Sequence, residues 1–485
     1  MLKRIFTGLL LVVLMAIVVI LYRTLTFTPA HTAFPELNKQ ALPQNGNAQI
    51  LAQALTYRTI SHKPGMRDEE AFAHFHHYLD SIFPLLRQNT QIDTLNLSLM
   101  YTWPGSDPAL KPLVLMAHQD VVPVEHNTRE EWELPPFAGK AKNGYLYGRG
   151  TLDDKGAMLA IMEAAHQLME KGVKPQRSLI MCFGHDEEIG GKKGAAKMSA
   201  LLEKRGVEAA MVVDEGGTLS KGIVPGIQKP VALIGTSEKG YVSLELIAKR
   251  SGGHSSMPEK DNAVTALHRA LDKLLENPPP NRISAPMEGF MKTVGPEMPF
   301  TQKIAFANKA LFKPLIYKVY QQSAAAAALI HTTQVPTMLQ AGIKDNVVPT
   351  RARAVVNYRL LPGDAPEEIL NRARNLIADS AVGVRIYDNF AIPASPVSPD
   401  TGRAFGLLAA AIQAVQDTPV IVSPYLVLGA TDGRYFYSIS KHVYRFSPFP
   451  LRSEDLARIH GLNERIKIKD YSKAISFYQT LILNF

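Results

Sequence analysis

The chain has 485 residues, of which 46% are apolar and 20% are charged, and it contains 33 glycines and 33 prolines. This composition is typical of a globular protein, and it excludes a disordered tail, a collagen, a coiled coil and a polytopic membrane protein. The net charge of +9 is spread along the chain without a long basic run, so no nucleic-acid partner is expected. The single cysteine, Cys182, excludes an intrachain disulfide framework and a cysteine-rich zinc module. Any metal site must therefore use His, Asp and Glu.

The N-terminus contains a long uncharged segment, Ile5 to Tyr22, which Lys3 and Arg4 precede and Arg23 follows. As a helix this segment would span about 27 Å, close to the thickness of the hydrocarbon core of a bilayer. A cleaved signal peptide is the alternative, but its apolar region is usually shorter and ends at a small-residue cleavage site. We therefore predict an uncleaved transmembrane anchor over 5–22. The positive-inside rule then predicts a single-pass protein with a cytoplasmic N-terminus and its catalytic domain on the far side, periplasmic or lumenal.

After a predicted linker over 23–44, strand and helix patterns alternate. This alternation indicates an α/β domain with a mainly parallel central sheet. We predict that this catalytic domain comprises two parts of the chain, 45–237 and 390–485. Its first part contains a helix within 69–86, then strands and helices that alternate at 113–117, 156–170, 178–183, 194–204 and 209–213.

The pattern changes at Gly240, which indicates an α+β lid domain inserted over 238–389. A strand with one solvated face is expected at 241–248, because apolar and polar residues alternate there. Helices over irregular chain are expected in the long segment 278–340, which is interrupted by prolines and then rich in alanine. The remaining lid elements are expected at 262–275, 354–360 and 366–378.

Acidic residues and histidines follow several predicted strands, where α/β proteins place their ligands. His118 and Asp120 point the same way, because alternate residues of an extended chain share a face. Taken alone, this pair is more often an ordinary surface or core contact, and Asp153 with Asp154 could simply cap a helix. Three consecutive acids after the next strand are harder to explain, since their repulsion needs a cation or a proton to offset it. The further acids and the last histidine are Asp186, Glu187, Glu188, Asp214, Glu215 and His460. Together these residues suit a two-metal site of first-row type.

The order and spacing of these segments resemble the M20 metallopeptidase family over about residues 50–485. The motifs that carry the resemblance are His118-x-Asp120, Gly148-Arg-Gly-x-x-Asp153-Asp154-Lys-Gly, Glu187-Glu188, Asp214-Glu215-Gly-Gly and Ser251-Gly-Gly-His254-Ser-Ser-Met-Pro. The Asp-Glu-Gly-Gly motif, the late His460-Gly-x-Asn-Glu464 segment and the N-terminal anchor are similar to the carboxypeptidase S and N-acyl-amino-acid hydrolase branch.

The resemblance implies a centre of two zinc ions, with Co²⁺ or Mn²⁺ as alternative metals. His118, Asp153 and Asp214 would hold one ion. Asp153, Glu188 and His460 would hold the other, so that Asp153 bridges the two. The resemblance also implies a cis peptide bond between Asp153 and its neighbour Asp154.

Three catalytic roles are implied in the same way. Asp120 would orient the His118 imidazole and set its basicity. Glu187 would act as general base toward the attacking water and then as general acid toward the leaving amine. His254, from the lid, would stabilise the tetrahedral oxyanion. The alternative for His254 is a loop histidine without a role.

Two segments resemble the parts of the family that contact the substrate. Asn346 lies in the lid segment Lys344–Pro349, and Arg434 ends the glycine-rich loop Gly429–Arg434. A guanidinium can grip a carboxylate through two parallel hydrogen bonds, which would select a free C-terminus. Arg359 is a weaker candidate, because a salt bridge within the lid explains it equally well. The apolar segment 446–451 and the region 278–340 could line a pocket for an acyl chain or apolar side chain, or could belong to the core.

The predicted function is that of a membrane-anchored di-zinc amidohydrolase that cleaves an amide bond next to a free carboxylate. Its substrate would be an N-acyl amino acid or the C-terminal residue of a small peptide. The alternative is a non-catalytic relative that serves as a binding module at the membrane. A non-catalytic relative should have lost Glu187 or one of the implied metal ligands, and this chain retains Glu187 and every implied ligand. A homodimer formed through the lid is an open alternative to a monomer.

Overall fold

The computed structural model describes residues 2–29, 34–37, 48–63 and 66–485. Part of the predicted linker, 30–33 and 38–44, therefore lies outside the described residues. The predicted span 5–22 lies within a single helix, α1 (Leu2–Leu25). Among the described residues α1 is the one helix long and apolar enough to cross a membrane, a property that signal sequences share.

Helices and strands alternate along most of the described chain. The α-helices after α1 are α2 (Ala48–Ala54), α3 (Glu69–Ile82), α4 (Pro84–Asn89), α5 (Lys155–Glu170), α6 (Ala195–Lys204), α7 (Ala263–Glu276), α8 (Ala285–Val294), α9 (Phe300–Ala307), α10 (Lys309–Tyr320), α11 (Ala324–Ala328), α12 (Pro366–Ile377), α13 (Arg403–Ala414), α14 (Ser453–Leu456) and α15 (Ile468–Asn484). The strands are β1 (Ser61–Lys63), β2 (Met66–Arg67), β3 (Gln91–Leu95), β4 (Ser98–Trp103), β5 (Leu113–His118), β6 (Lys140–Lys142), β7 (Tyr145–Tyr147), β8 (Leu179–Gly184), β9 (Met211–Ser220), β10 (Val231–Glu238), β11 (Gly240–Lys249), β12 (Gly253–His254), β13 (Thr333–Ala341), β14 (Val347–Val348), β15 (Arg351–Leu360), β16 (Val382–Ile392), β17 (Ile421–Val427), β18 (Val443–Leu451) and β19 (Arg465–Lys467).

The largest sheet has eight strands in the order β17-β10-β18-β9-β5-β8-β4-β3. Its central strands β8, β5, β9 and β18 run parallel to one another. Toward the edges, β4 is antiparallel to β8, β3 is antiparallel to β4, and β10 is antiparallel to β18 but parallel to β17. Every residue of β5 and β8 is buried, as expected for strands covered on both faces. Side chains of α5, α13 and α15 join the core on one face, and those of α6 join it on the other. The predicted α/β fold is confirmed, with a sheet that is mixed toward its edges.

A second sheet, β13-β15-β11-β16, is antiparallel throughout and lies between β10 and β17 in the chain. Alternate residues of β11, from Val242 to Ala248, are fully buried against the amphipathic helices α7 and α12. This small sheet therefore has a hydrophobic core of its own. It has the α+β arrangement that the sequence predicts for a lid.

The segment from α8 to α11 is placed differently from the expectation for 278–340. Met287 and Phe290 of α8 pack with Val231 and Leu233 of β10, in the large sheet. These apolar side chains cover one end of the large sheet, so α8 belongs to the catalytic body rather than to the core of the lid. The same region also ends in a strand, because Thr333–Ala341 pairs along β15 as an edge of the small sheet.

Candidate active site

The carboxyl ends of the parallel strands β5, β8 and β9 bring the predicted acids and histidines to one edge of the large sheet. His118 is the last residue of β5. Glu187 and Glu188 form a single 3₁₀ turn after β8. Asp214 and Glu215 lie within β9, before its bend at Gly216. This is the position at which open α/β sheets bind ligands.

Asp153 lies at the centre of this cluster and contacts a histidine with each of its two oxygens. Its Oδ1 is 2.9 Å from Nε2 of His118, and its Oδ2 is 2.9 Å from Nε2 of His460. Glu215 Oε1 lies 3.4 Å from the same His118 nitrogen, and Glu188 Oε2 lies 3.2 Å from that of His460. The peptide bond between Asp153 and Asp154 is cis, as the family resemblance implies. One carboxylate thus stands between two matching pairs, each made of a histidine and a glutamate.

The cluster carries more negative charge than its protein contacts offset. Both carboxylate oxygens of Asp154 and Oε1 of Glu188 are buried without a hydrogen-bond partner among the described residues. Burial raises the pKa of Glu215 to about 7, and hydrogen bonds with Asp153 and Glu188 raise the pKa of His460 to about 10. A cation bound among these oxygens would offset the cost of burying them unpaired. His and carboxylate donors suit a first-row divalent cation, so the residues fit a metal centre.

Asp214, which we expected as a ligand, does not contact either histidine. Its Oδ2 accepts a 2.5 Å hydrogen bond from the backbone N–H of Gly433. The position beside His118 is taken by Glu215. The reason is a bulge, since β9 advances from Asp214 to Thr218 while the paired β18 advances only from Arg445 to Ser447. A bulge changes the direction of a strand's side chains, which the sequence pattern alone does not reveal.

Asp120 ties His118 to the turn that carries the two glutamates. Its Oδ1 lies 3.4 Å from Nδ1 of His118 and also accepts from the backbone N–H of Glu187 at 3.2 Å. Its Oδ2 accepts from the backbone N–H of Glu188 at 3.1 Å. Burial raises the pKa of Glu187 well above its usual range. Glu187 is thus a half-buried carboxyl group with a raised proton affinity beside the cluster.

Glu464 and Arg149 hold the two loops that supply Asp153 and His460. The Glu464 carboxylate accepts hydrogen bonds from the backbone N–H groups of Gly150, Leu152 and Asp153, at distances from 2.8 to 3.2 Å. Arg149 donates to Glu464 at 2.6 Å and to the backbone oxygen of His460 at 3.0 Å. Both side chains are buried. The late His460-Gly-x-Asn-Glu464 segment includes Glu464, but the sequence indicates no role for that residue, because its partners lie 311 to 315 residues away in the chain.

Arg434 lies against the turn that carries Glu187 and Glu188. Its Nη2 donates to the backbone oxygen of Gly190 at 2.9 Å, and its guanidinium stacks on the Tyr435 ring at 4.9 Å. Its buried Nε has no hydrogen-bond partner among the described residues. Arg434 therefore places a half-buried guanidinium against the turn that carries the two glutamates.

His254, Asn346 and Arg359 lie in the lid, and their described contacts stay within it. His254 is exposed, and its Nδ1 accepts from the backbone N–H of Ser256 at 3.1 Å. Asn346 is exposed and accepts from the backbone N–H of Ser255 with its own backbone oxygen. Arg359 stacks on the Tyr241 ring at 5.0 Å, which replaces the salt bridge considered for it.

A cavity of about 470 Å³ opens beside the cluster. Asp153 and Glu215 lie at its polar end. The rest of its wall is mainly apolar and includes Leu233, Tyr425, Phe449, Leu451 and Ile459. Of the segment predicted as pocket or core, Phe449 and Leu451 line the cavity, whereas Phe446 is buried in the main core.

Residues 114–484 match the family model described as peptidase family M20/M25/M40. The chain belongs to this family. The predicted family and the predicted class of enzyme, a metallopeptidase or amidohydrolase, are thereby confirmed. The family depends on metal ions, which agrees with the donor set around Asp153.

Relatives of known name cover nearly the whole chain. It is 38% identical over 446 residues to "Probable carboxypeptidase S-like 2" of Dictyostelium discoideum, a match that covers 90% of this chain and 84% of that protein. It is 37% identical over 442 residues to "N-fatty-acyl-amino acid synthase/hydrolase PM20D1" of Homo sapiens, a match that covers 90% of this chain and 87% of that protein. The fold is similar to that of the M20 family metallo-carboxypeptidase Sso-CP2 from Sulfolobus solfataricus, with a TM-score of 0.66 at 20% identity, over 90% of this chain and 98% of the other.

Proposed function

We propose that this M20 enzyme is a di-zinc amidohydrolase that cleaves an amide bond next to a free carboxylate. The observation that carries the proposal is the position of Asp153, whose two oxygens face two different histidines. His118, Asp153 and Glu215 would hold one ion, and Asp153, Glu188 and His460 the other. Glu215 thus takes the role that we first expected for Asp214.

Two bound zinc ions would lower the pKa of a coordinated water and polarise the carbonyl of the substrate amide. The protein supplies the proton transfers. Glu187 accepts a proton from the attacking water, and its raised pKa suits it to return that proton to the leaving amine. Asp120 keeps Glu187 in place through the backbone N–H of that residue. The side chain of His460 is 52% exposed, so the cluster is open to a substrate on that side.

Substrate selection would involve both a charged and an apolar contact. The half-buried guanidinium of Arg434 lies against Gly190, three residues after Glu187, and would turn its remaining N–H groups toward the carboxylate of the substrate. The apolar cavity beside Glu215 suits an acyl chain or an apolar side chain. His254 and Asn346 would complete the site from the lid. An N-acyl amino acid fits both contacts, and so does a small peptide with an apolar residue.

The helix α1 would anchor the enzyme in a membrane. Its residues are almost all exposed, as expected for a helix whose partner is lipid. The basic residues Lys3 and Arg4 would keep its N-terminus in the cytoplasm and place the catalytic domain on the far side. A lid-mediated dimer is compatible with this arrangement.

The test is a hydrolysis screen of purified full-length protein, loaded with zinc, on N-acyl amino acids, free dipeptides and dipeptides with a blocked C-terminus. We expect free acids to be cleaved much faster than substrates with a blocked carboxylate, and chelation to abolish the cleavage of both. Equal cleavage of blocked substrates would contradict the proposal. The ligand set is tested by metal analysis of two variants. Glu215→Gln should contain less zinc per chain than the wild type, and Asp214→Asn should contain as much zinc as the wild type. The reverse result would restore Asp214 as the ligand.

A further inference from the structure

The helices α9 and α10 expose a row of large apolar side chains. Leu311, Leu315 and Val319 of α10 are 63%, 50% and 49% exposed, and Phe300 of α9 is 53% exposed. The three α10 residues are spaced four apart, so they lie along one side of the helix. We call Phe300, Leu311, Leu315 and Val319 the α9–α10 patch. A contiguous apolar surface of this kind marks a site of interaction.

The patch is held directly against α1. Asn308, between α9 and α10, donates from Nδ2 to the backbone oxygen of Ile20 at 3.3 Å and to Oγ1 of Thr24 at 3.2 Å. Leu311 shares a groove with Val19 and with residues of α1 as far back as Val12. If α1 spans a bilayer over 5–22, this groove lies inside the apolar layer. The first part of α10 is therefore at the depth of lipid chains.

The charges around the patch suit the surface of a bilayer. Lys303, Lys313 and Lys318 lie on the two helices, and Arg23, in the last turn of α1, lines the same groove as Leu311. Neither α9 nor α10 contains an acidic residue. Lysine side chains can lay their stems along an apolar surface and place the ammonium group among lipid phosphates. A second copy of the chain would instead bring these lysines face to face with their equivalents, which is unfavourable.

The buried side of α10 connects the patch to the catalytic body. Ile316 packs in the same apolar cluster as Leu233 and Tyr425. Leu233 and Tyr425 in turn line the cavity beside the metal cluster. The patch and the cavity thus lie on opposite sides of one helical layer.

We propose that the α9–α10 patch inserts into the lipid bilayer beside α1, as an interfacial helix pair. The catalytic body is then attached to the membrane at two places and held with its apolar cavity close to the lipid. This inference rests on the proposed membrane anchor, and it adds a second lipid contact to it.

The test uses fluorescence from single labelled cysteines in the full-length chain, reconstituted in phosphatidylcholine vesicles. The one native cysteine, Cys182, is fully buried, so an introduced surface cysteine is labelled selectively. The labelled variants are Leu315→Cys in the patch, Val12→Cys in α1 and Leu339→Cys in the lid. Leu339 is the matched control, because it is an apolar residue with 71% exposure on another surface. Doxyl-labelled phosphatidylcholine reports contact with lipid chains, and iodide reports contact with water.

We expect doxyl lipid to quench the label at Leu315→Cys about as strongly as at Val12→Cys, and iodide to quench only the label at Leu339→Cys. Quenching of Leu315→Cys by iodide alone would overturn the inference while leaving the anchor intact. Energy transfer between labelled copies without lipid quenching would overturn it in favour of a second copy. A Val12→Cys label without lipid quenching would overturn the anchor and the patch together.

Hydrolysis by the same labelled chains shows that each variant is folded, and it reports on the proposed activity independently of the membrane. Leu311→Cys serves as a second patch variant if Leu315→Cys is inactive. Full activity of a patch variant whose label does not contact lipid would reject the patch. Lipid contact by the patch and α1 labels, with no hydrolysis by any variant or by the wild-type chain, would reject the proposed hydrolysis.

Discussion

The metal cluster and the lid residues are built in different ways. The cluster lies at the ends of buried strands, and hydrogen bonds to Asp120 and Glu464 hold the backbone of the loops that carry Glu187, Glu188 and Asp153. His254 and Asn346 of the lid are exposed, and their hydrogen bonds among the described residues go to the turn at Ser255 and Ser256, beside the short strand pair β12 with β14. The protein therefore sets the positions of the candidate metal ligands in advance, while any contribution of the lid depends on its approach to the cluster. The following experiments test this division of roles.

The largest effect is expected for the general base. Glu187→Gln should lower kcat by roughly 10²–10⁴-fold, the usual contribution of general-base catalysis. Metal content should stay at the wild-type level, because Glu187 contacts neither histidine of the cluster in the described structure. Glu188→Gln is the matched control, and it should lose metal, since Glu188 Oε2 lies 3.2 Å from His460. Kinetics and metal analysis of both variants distinguish the general base from the metal ligand. Equal metal loss in the two variants would contradict the assignment of these roles to Glu187 and Glu188.

The next effect concerns recognition of the carboxylate by the rigid part of the site. Arg434→Ala should lose about 2–5 kcal/mol of transition-state binding on free acids, or roughly 30- to several-thousand-fold in kcat/KM. The loss on the matching esters should be much smaller. Tyr435→Phe is the control, because the Tyr435 hydroxyl donates to the same Gly190 oxygen but brings no charge. An acid-selective loss in Tyr435→Phe as well would mean that Arg434 acts by holding the turn.

The contribution of the lid to catalysis is tested at His254. The backbone N–H of Ser256 donates to Nδ1, so the neutral ring carries its proton on Nε2, where it can be given to an oxyanion. His254→Ala should lower kcat by about 10²–10³-fold, as for other single donors to an oxyanion, with metal content unchanged. Ser256→Ala keeps the backbone contact and should cost far less. A wild-type kcat for His254→Ala would make this residue an ordinary part of the lid surface.

The smallest of these effects is expected at Asp120, which supports the cluster without touching the reacting atoms. Asp120→Asn replaces one acceptor oxygen by an N–H₂ group that faces the backbone N–H of Glu187 or Glu188. Loss of such a supporting contact costs about 10–100-fold in metal affinity or activity. Zinc titration of the stripped protein measures the affinity directly. An unchanged affinity would show that the backbone contact of Asp120 to His118 is sufficient.

Local patterns predicted the strand ends well and the long-range contacts poorly. His118 follows a fully apolar strand, and its place at the edge of the sheet follows from that pattern. The exchange of Asp214 for Glu215 depends on a bulge in the pairing of β9 with β18. Gly216 and Gly217 mark its place, but they do not tell which of the two acids turns toward His118. The packing of α8 on β10 depends on which apolar surface is left uncovered once the sheet has formed. Both outcomes require the assembled fold.

The pairing of Glu464 with Arg149 joins residues that are 315 positions apart. The same late loop carries His460, so both the histidine and the carboxylate that supports the Asp153 loop are synthesised more than 300 residues after that loop, Glu464 lying 311 residues beyond Asp153. A nascent chain that has not yet emerged as far as this loop lacks one histidine of the cluster and the carboxylate that holds the Asp153 loop. A premature stop before residue 460 therefore gives a chain with an incomplete set of metal ligands, even though the four earlier residues of the cluster are present.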